Sequence, residues 1–220
     1  MNRKLSIGLF ASAAIFMVAC GGPQGERAIT GDAQNVAEKQ GVTYVADLAT
    51  SNVEWIGTKP TGQHNGTISL SEGYAIVSNG AITGGEFIFD MNSIVDIDLT
   101  DPDMNGKLTG HLKSGDFFEI ETYPTSKFII TSVEANENSE TGETHMITGN
   151  LTMKDVTKSI SFTAMVSITD LSIKATSNNF LINRADWNIK YGSKRFFDNL
   201  KDNFIHDDIS LKVNFFALNK

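Results

Sequence analysis

The sequence predicts an all-β protein: one antiparallel barrel or sandwich of about eight strands with a short helical insert. Three observations carry this. Apolar and polar residues alternate with period two over most of the chain from Val42 onward. Glycine is plentiful (19) and proline scarce (4), which suits many turns between strands. One long stretch, Asp101 to Tyr123, breaks the alternation and reads as an insert over the sheet.

The chain opens "MNRKLSIGLFASAAIFMVACGG". Arg3 and Lys4 precede an apolar run from Leu5 to Ala19, too short for a comfortable membrane span, so residues 1–19 read as a secretory signal peptide. Met17-Val18-Ala19-Cys20 resembles a bacterial lipoprotein box, and the only cysteine of the chain stands where that box needs it. The resemblance implies cleavage before Cys20 and a diacylglycerol thioether on its sulfur. Gly21, in place of Asp, implies sorting to the outer membrane of a Gram-negative bacterium. A single cysteine also excludes an internal disulfide, a cysteine-based zinc site and a CxxC redox centre. Residues 20–41 are small, polar and charged, and are expected to form a lipidated, flexible tether before a single domain over 42–220.

Within the domain, Ile160, Phe162, Ala164, Val166 and Ile168 alternate with Ser159, Ser161, Thr163 and Ser167. Ile209, Leu211, Val213 and Phe215 do the same near the end. Further strands are expected at 53–58, 67–70, 75–77, 81–91, 126–133, 146–153, 171–175 and 179–183, with turns at Ser71-Glu72-Gly73 and Ser78-Asn79-Gly80. In the insert, Leu108 and Leu112 have the i, i+4 spacing of one helical face, with Asp103 or Asn105 as the expected cap. A second turn over 116–121 is expected to end before Pro124.

The formal charge of −8 excludes a nucleic-acid partner, because phosphate neutralisation needs a Lys/Arg surface. Sequence signatures of chemistry are missing. There is no GxSxG, no GxGxxG and no HExxH. "DPDMNG" (101–106) resembles half of a calcium loop, but Leu112 stands where a bidentate glutamate is needed, so it reads as a solvated acidic loop. "IHDD" (205–208) lacks further ligands at zinc spacing. No catalytic residue, metal or cofactor is therefore expected.

Four stretches, in order, resemble the YceI-like family of polyisoprenoid-binding proteins. They are "GHLKSGDFFEIETYPTSKF" (110–128), "GNLTMKDVTKSISF" (149–162), "FLINRADWNIKYGS" (180–193) and "DDISLKV" (207–213). Two positions depart from the pattern: Asp155 and Asn188 stand where glycine is common. The resemblance implies an extended lipocalin-like antiparallel barrel with an apolar tunnel for an isoprenoid or other long-chain lipid. Strand parity then assigns Phe87, Phe89, Phe128, Ile130, Phe162, Ala164, Phe180, Ile182 and Phe215 to the tunnel. Trp55 and Trp187 read as core or tunnel wall. Phe117 and Phe118 are expected at the mouth, with His111, Lys113 and Arg184 as a polar rim for a head group. Arg184 has a second reading, an ion pair with Asp186 on one face of a strand. The function expected is carriage or storage of a lipid by a membrane-anchored lipoprotein. The alternative is a non-catalytic binding or adhesion module with a filled barrel. A homodimer is kept as an open assembly.

Overall fold

A computed structural model describes residues 22–137 and 142–219. The signal peptide and Cys20 fall outside the described residues. In chain order, β1 (Glu26–Arg27) and β2 (Ile29–Asp32) precede β3 (Val42–Ala46), β4 (Asn52–Lys59), β5 (Gly62–Ser78), β6 (Ala81–Asp90) and β7 (Val95–Asp96). Helix α1 (Pro102–Lys113) follows. Then come β8 (Thr125–Ala135), β9 (His145–Met153), β10 (Val156–Ile168), β11 (Ser172–Ser177), β12 (Phe180–Asn183) and β13 (Asp208–Asn219).

All of these strands belong to one sheet. It runs β13–β11–β10–β9–β8–β6–β5 and returns to β13 through β3 and β4. Each of those two pairs with β5 on one side and β13 on the other. The sheet is a closed antiparallel barrel, one of the two forms the alternation allows and the one the resemblance implies, and closure leaves its principal strands no free edge.

The segment read as a tether completes the barrel. β1 pairs in parallel with β12 (Glu26 opposite Phe180), and β2 pairs antiparallel with β10 (Ile160 opposite Thr30). It thus fills the gap between β12 and β10 that β11 is too short to cover. Arg27 Nη1 donates to Asp208 Oδ1 at 2.8 Å, Ser210 Oγ donates to the Gln24 carbonyl at 2.9 Å, and Ala28 is buried. Farther on, the Gln34 backbone and the Asn150 side-chain amide exchange two hydrogen bonds, at 2.8 and 2.7 Å. Low apolar content hid this: the segment is held by hydrogen bonds and by the buried Pro23 and Ala28, not by a continuous hydrophobic face.

Three local expectations also change. Ser71-Glu72-Gly73 is a bulge within the continuous strand β5, between Leu70 and Glu72, and not a turn. The "DPDMNG" stretch is no loop: it opens α1, with Asp101 as the cap accepting from Met104 N and Pro102 at the first helical turn. Arg184 and Asp186 lie on a 3₁₀ turn (Arg184–Trp187), not a strand. The departures from glycine are accommodated. Asn188 takes the left-handed conformation (φ 59°) that asparagine tolerates. In the β9–β10 hairpin that conformation falls on Lys154 (φ 53°), not on Asp155.

Inward positions follow strand parity. Ile160, Phe162 and Ala164 are buried in β10, and Phe128 and Ile130 in β8. Gly149 on β9 makes room for the Phe128 ring, since a Cβ there would lie 2.4 Å from Cζ.

Removing residues 22–32 unpairs β10 and β12 on this side and strips Arg27 from Asp208. Each hydrogen bond lost costs roughly 1 kcal/mol, and the conformational entropy no longer spent on ordering the segment offsets much of the sum, so a net loss of about 3 kcal/mol is expected, or roughly 6–12 °C in Tm. Thermal unfolding of a chain lacking these residues checks it. An unchanged Tm would restore the tether reading.

Candidate functional site

The inward side chains do not fill the barrel. They surround an apolar cavity of about 460 Å³, far beyond the ~10–15 Å³ that one water needs. Its wall contains Trp55, Phe87, Phe89, Phe128, Ile130 and Phe162. Ala164, Phe180, Ile182 and Phe215 continue it. The rings form a continuous belt. Phe162 stacks on Phe180 at 4.4 Å between centroids, Phe128 lies 5.9 Å from Phe162 and 6.3 Å from Phe87, and Phe87 meets Phe215 edge-on at 5.0 Å.

One end of the cavity is partly covered by α1, the turn after it and the segment 189–206. Leu108, His111 and Leu112 of α1 line it together with Phe117, Phe118, Tyr191, Ile205 and His206. His111, Phe117 and Tyr191 form a triad of rings: His111 meets Phe117 at 5.0 Å and Tyr191 at 4.6 Å, both edge-on. His111 Nε2 contacts Asp116 Oδ2 at 2.9 Å, which orients the imidazole. Phe117 is buried and Phe118 half-buried. Lys59, Tyr191 and Asn203 are exposed at the cavity's edge, so it reaches the surface here.

Three expected site residues have other roles. Trp187 does not line the cavity. It is fully buried (0%) behind the wall and donates its indole N–H to the Leu151 carbonyl at 3.0 Å. Lys113 lies off the cavity, on the last turn of α1. Arg184 lines the cavity but is not free for a head group. Its guanidinium, 1% exposed, donates to the carbonyls of Ile189 (2.9 Å), Ile205 (3.3 Å) and His206 (3.3 Å) and pairs with Asp207, not Asp186, at 3.3 Å. Burial lowers its pKa, against the attraction of Asp207. Asp186 pairs instead with Arg195, at 2.8 Å. Arg184 is thus the post that fastens the 189–206 segment to the barrel.

The tunnel assignment left out other wall residues, among them Ile68, Leu70, Ile147 and Leu151. Sequence reasoning also missed the polar groups that face the space. The indole N–H of Trp55 and the hydroxyl of Thr58 are buried without a hydrogen-bond partner among the described residues, and both residues line the cavity. Gly66 permits this placement of Trp55, since a Cβ there would lie 2.7 Å from the indole. His64, also on the wall, meets Asp98 at 3.0 Å. Burial raises the pKa of nearby Asp96. Burial acts the same way on Asp98, but hydrogen bonds from Asn65 N–H and His64 outweigh it and lower its pKa.

A closed barrel around an apolar bore with few polar groups defines the class: a lipocalin-like β-barrel. The YceI-like domain model matches residues 44–217, and the chain belongs to that family. Two solved structures share the fold. Burkholderia cenocepacia BcnA matches with TM-score 0.60 and 19% identity over 78% of this chain and 99% of that one. A polyisoprenoid binding domain from Saccharophagus degradans, implicated in plant cell wall breakdown, matches with TM-score 0.57 and 15% identity over 81% and 99%. In sequence, a UPF0312 protein of Pseudomonas putida is 44% identical over 54 residues, 24% of this chain and 26% of that relative. The chain thus matches about a quarter of the length of these curated relatives.

Replacing Arg184 by Met would leave three carbonyls and Asp207 without their cation. A loss of about 3 kcal/mol is expected in urea unfolding. Arg184→Lys is expected to lose nearly as much, because an ammonium cannot span the fork. Stability unchanged in both would refute the fastening role.

Proposed function

We propose that this protein binds one long-chain amphiphile, an isoprenoid or similar lipid, in the barrel's bore, and carries or stores it while anchored to a membrane through Cys20. The observation that carries the reading is the apolar cavity of about 460 Å³, within the range of ligand sites and lined almost wholly by hydrocarbon. Apolar burial is worth ~25 cal/mol per Å², so a chain burying ~500 Å² gains ~12 kcal/mol gross. Association and ordering take back much of that. The wall offers no pattern that measures length, so affinity outweighs chain-length specificity. The unpaired Trp55 N–H and Thr58 hydroxyl are donors, and they suit an oxygen of the ligand's polar end.

The anchor fits the bore's position. Gly22 lies against the His206 ring, which lines the mouth, and only one residue separates Gly22 from Cys20. Two peptide steps span at most ~7 Å, so a lipid on Cys20 would hold the mouth close to the bilayer. Exposed Phe196 and Phe197, with Lys190 and Arg195 over the Phe196 ring, lie on the same segment as the mouth. Cys20→Ser should release the protein from membranes, apart from any uncleaved precursor. A variant that fractionates with membranes like the wild type refutes the anchor.

The bore itself is tested by a small-to-large change at Ala164, buried on its wall. A bore that holds ligand can admit the indole, so Ala164→Trp is expected to keep its fold and lose uptake of a fluorescent long-chain probe. Destabilisation by ~1–3 kcal/mol, in a protein whose wild type takes up no probe, is the signature of an overpacked, filled core and would contradict the proposal.

A further inference from the structure

A cluster at the edge of the bore has the makings of a metal site. The pairing of β5 with β7 sets Gly66 opposite Asp96, and so brings His64 beside two carboxylates of the segment that leads into α1. His64 Nδ1 lies 3.0 Å from Asp98 Oδ2 and 3.8 Å from Asp96 Oδ2. One potential ligand atom from each residue falls within 4.8 Å of the other two. The Asp96 side chain is completely buried. Its Oδ1 accepts from Leu99 N at 2.8 Å and stands 3.4 Å from Asn105 Nδ2. Its Oδ2 receives no hydrogen bond from any described residue and faces His64. Among the described residues, neither carboxylate has a lysine or arginine within ion-pairing distance; His64 is their one basic neighbour.

Two adjacent carboxylates, one buried with an unpartnered oxygen, are costly unless something positive completes them. We propose that His64, Asp96 and Asp98 bind one divalent transition-metal ion of the zinc class. Zinc sits ~2.0–2.2 Å from such donors, which places tetrahedral ligands about 3.4 Å apart. The two distances from His64 Nδ1, 3.0 and 3.8 Å, bracket that spacing, and all three donors lie within 4.8 Å of one another, so side-chain adjustment can close the site. The carboxylates are already positioned from behind. Asn65 N donates to Asp98 Oδ1 at 2.7 Å, and Asn105 Nδ2 donates to the Asp96 carbonyl at 2.9 Å and the Leu99 carbonyl at 3.1 Å. One imidazole with two carboxylates suits zinc, manganese or iron, whereas calcium and magnesium take all-oxygen shells. Three protein donors leave a coordination position open, and His64 lies on the cavity wall. A water or an oxygen of a bound ligand's head group can take it.

The test is titration of the purified, chelator-treated chain with Zn²⁺ by calorimetry, with Mg²⁺ as control. One Zn²⁺ per chain is expected, with a rise in Tm. His64→Ala and Asp98→Asn, at part-exposed and exposed positions, should each weaken Zn²⁺ at least tenfold and abolish that rise while leaving the metal-free Tm near the wild type's. They carry the test even where Asp96→Asn disturbs folding. Zinc that does not bind, or binds equally to both variants, overturns the site. Because the readout is metal binding, either result leaves the lipid reading standing or falling on its own test.

Discussion

Closure of the sheet is the constraint on which this molecule depends. A strand that ends without a neighbour leaves a row of unpaired N–H and C=O groups, and natural sheets avoid that by pairing or covering every edge. Here β13 is the clasp. It pairs with β3 and β11 toward its C-terminal end and with β4 and β12 toward its start, so both sides of the barrel meet on one strand. The short β11 and β12 leave β10 unpaired near Ser159, and the N-terminal segment fills that place. A stretch with almost no hydrophobic content is thereby structural, through backbone bonds and the Arg27–Asp208 pair.

Closure also decides what the interior can be. With side chains alternating across the wall, every second residue points into a space whose width the strand number fixes. In a barrel of this size the interior can be packed shut or left open for one small ligand. The choice rests on where bulk sits around the ring. Phenylalanines cluster as a belt, while Ala75, Ala164 and Ala175 set no bulk against the interior space. At one end Arg184 binds the covering segment to the wall, and Phe117 packs beneath Tyr191 and His111. The lid is thus built from rings and held by a buried cation.

Much of this was legible because period two is a direct record of inside and outside. Parity placed Phe87, Phe89, Phe128, Phe162, Phe180 and Phe215 on the cavity wall, where the structure has them. The reading failed where residues leave regular strands. Trp187 sits on a 3₁₀ turn, so its bulk turns behind the wall instead of into it. Arg184 was paired with the wrong aspartate for the same reason: spacing two apart means one face only on a strand. Lys113 shares a motif with His111 but, two residues on along a helix, faces elsewhere. The N-terminal strands carried no alternation to read. His64, Asp96 and Asp98 were invisible as a set, because only the β5–β7 pairing brings them together.

The central claim is that the bore is a container and not a core. Native mass spectrometry of the purified protein, compared with its mass after denaturation, tests this most directly. The account predicts an excess mass in the folded protein equal to one long-chain amphiphile, lost on unfolding and recoverable in an organic extract. Identical masses in both states, from a protein that also takes up no chain when lipid is offered, would contradict it.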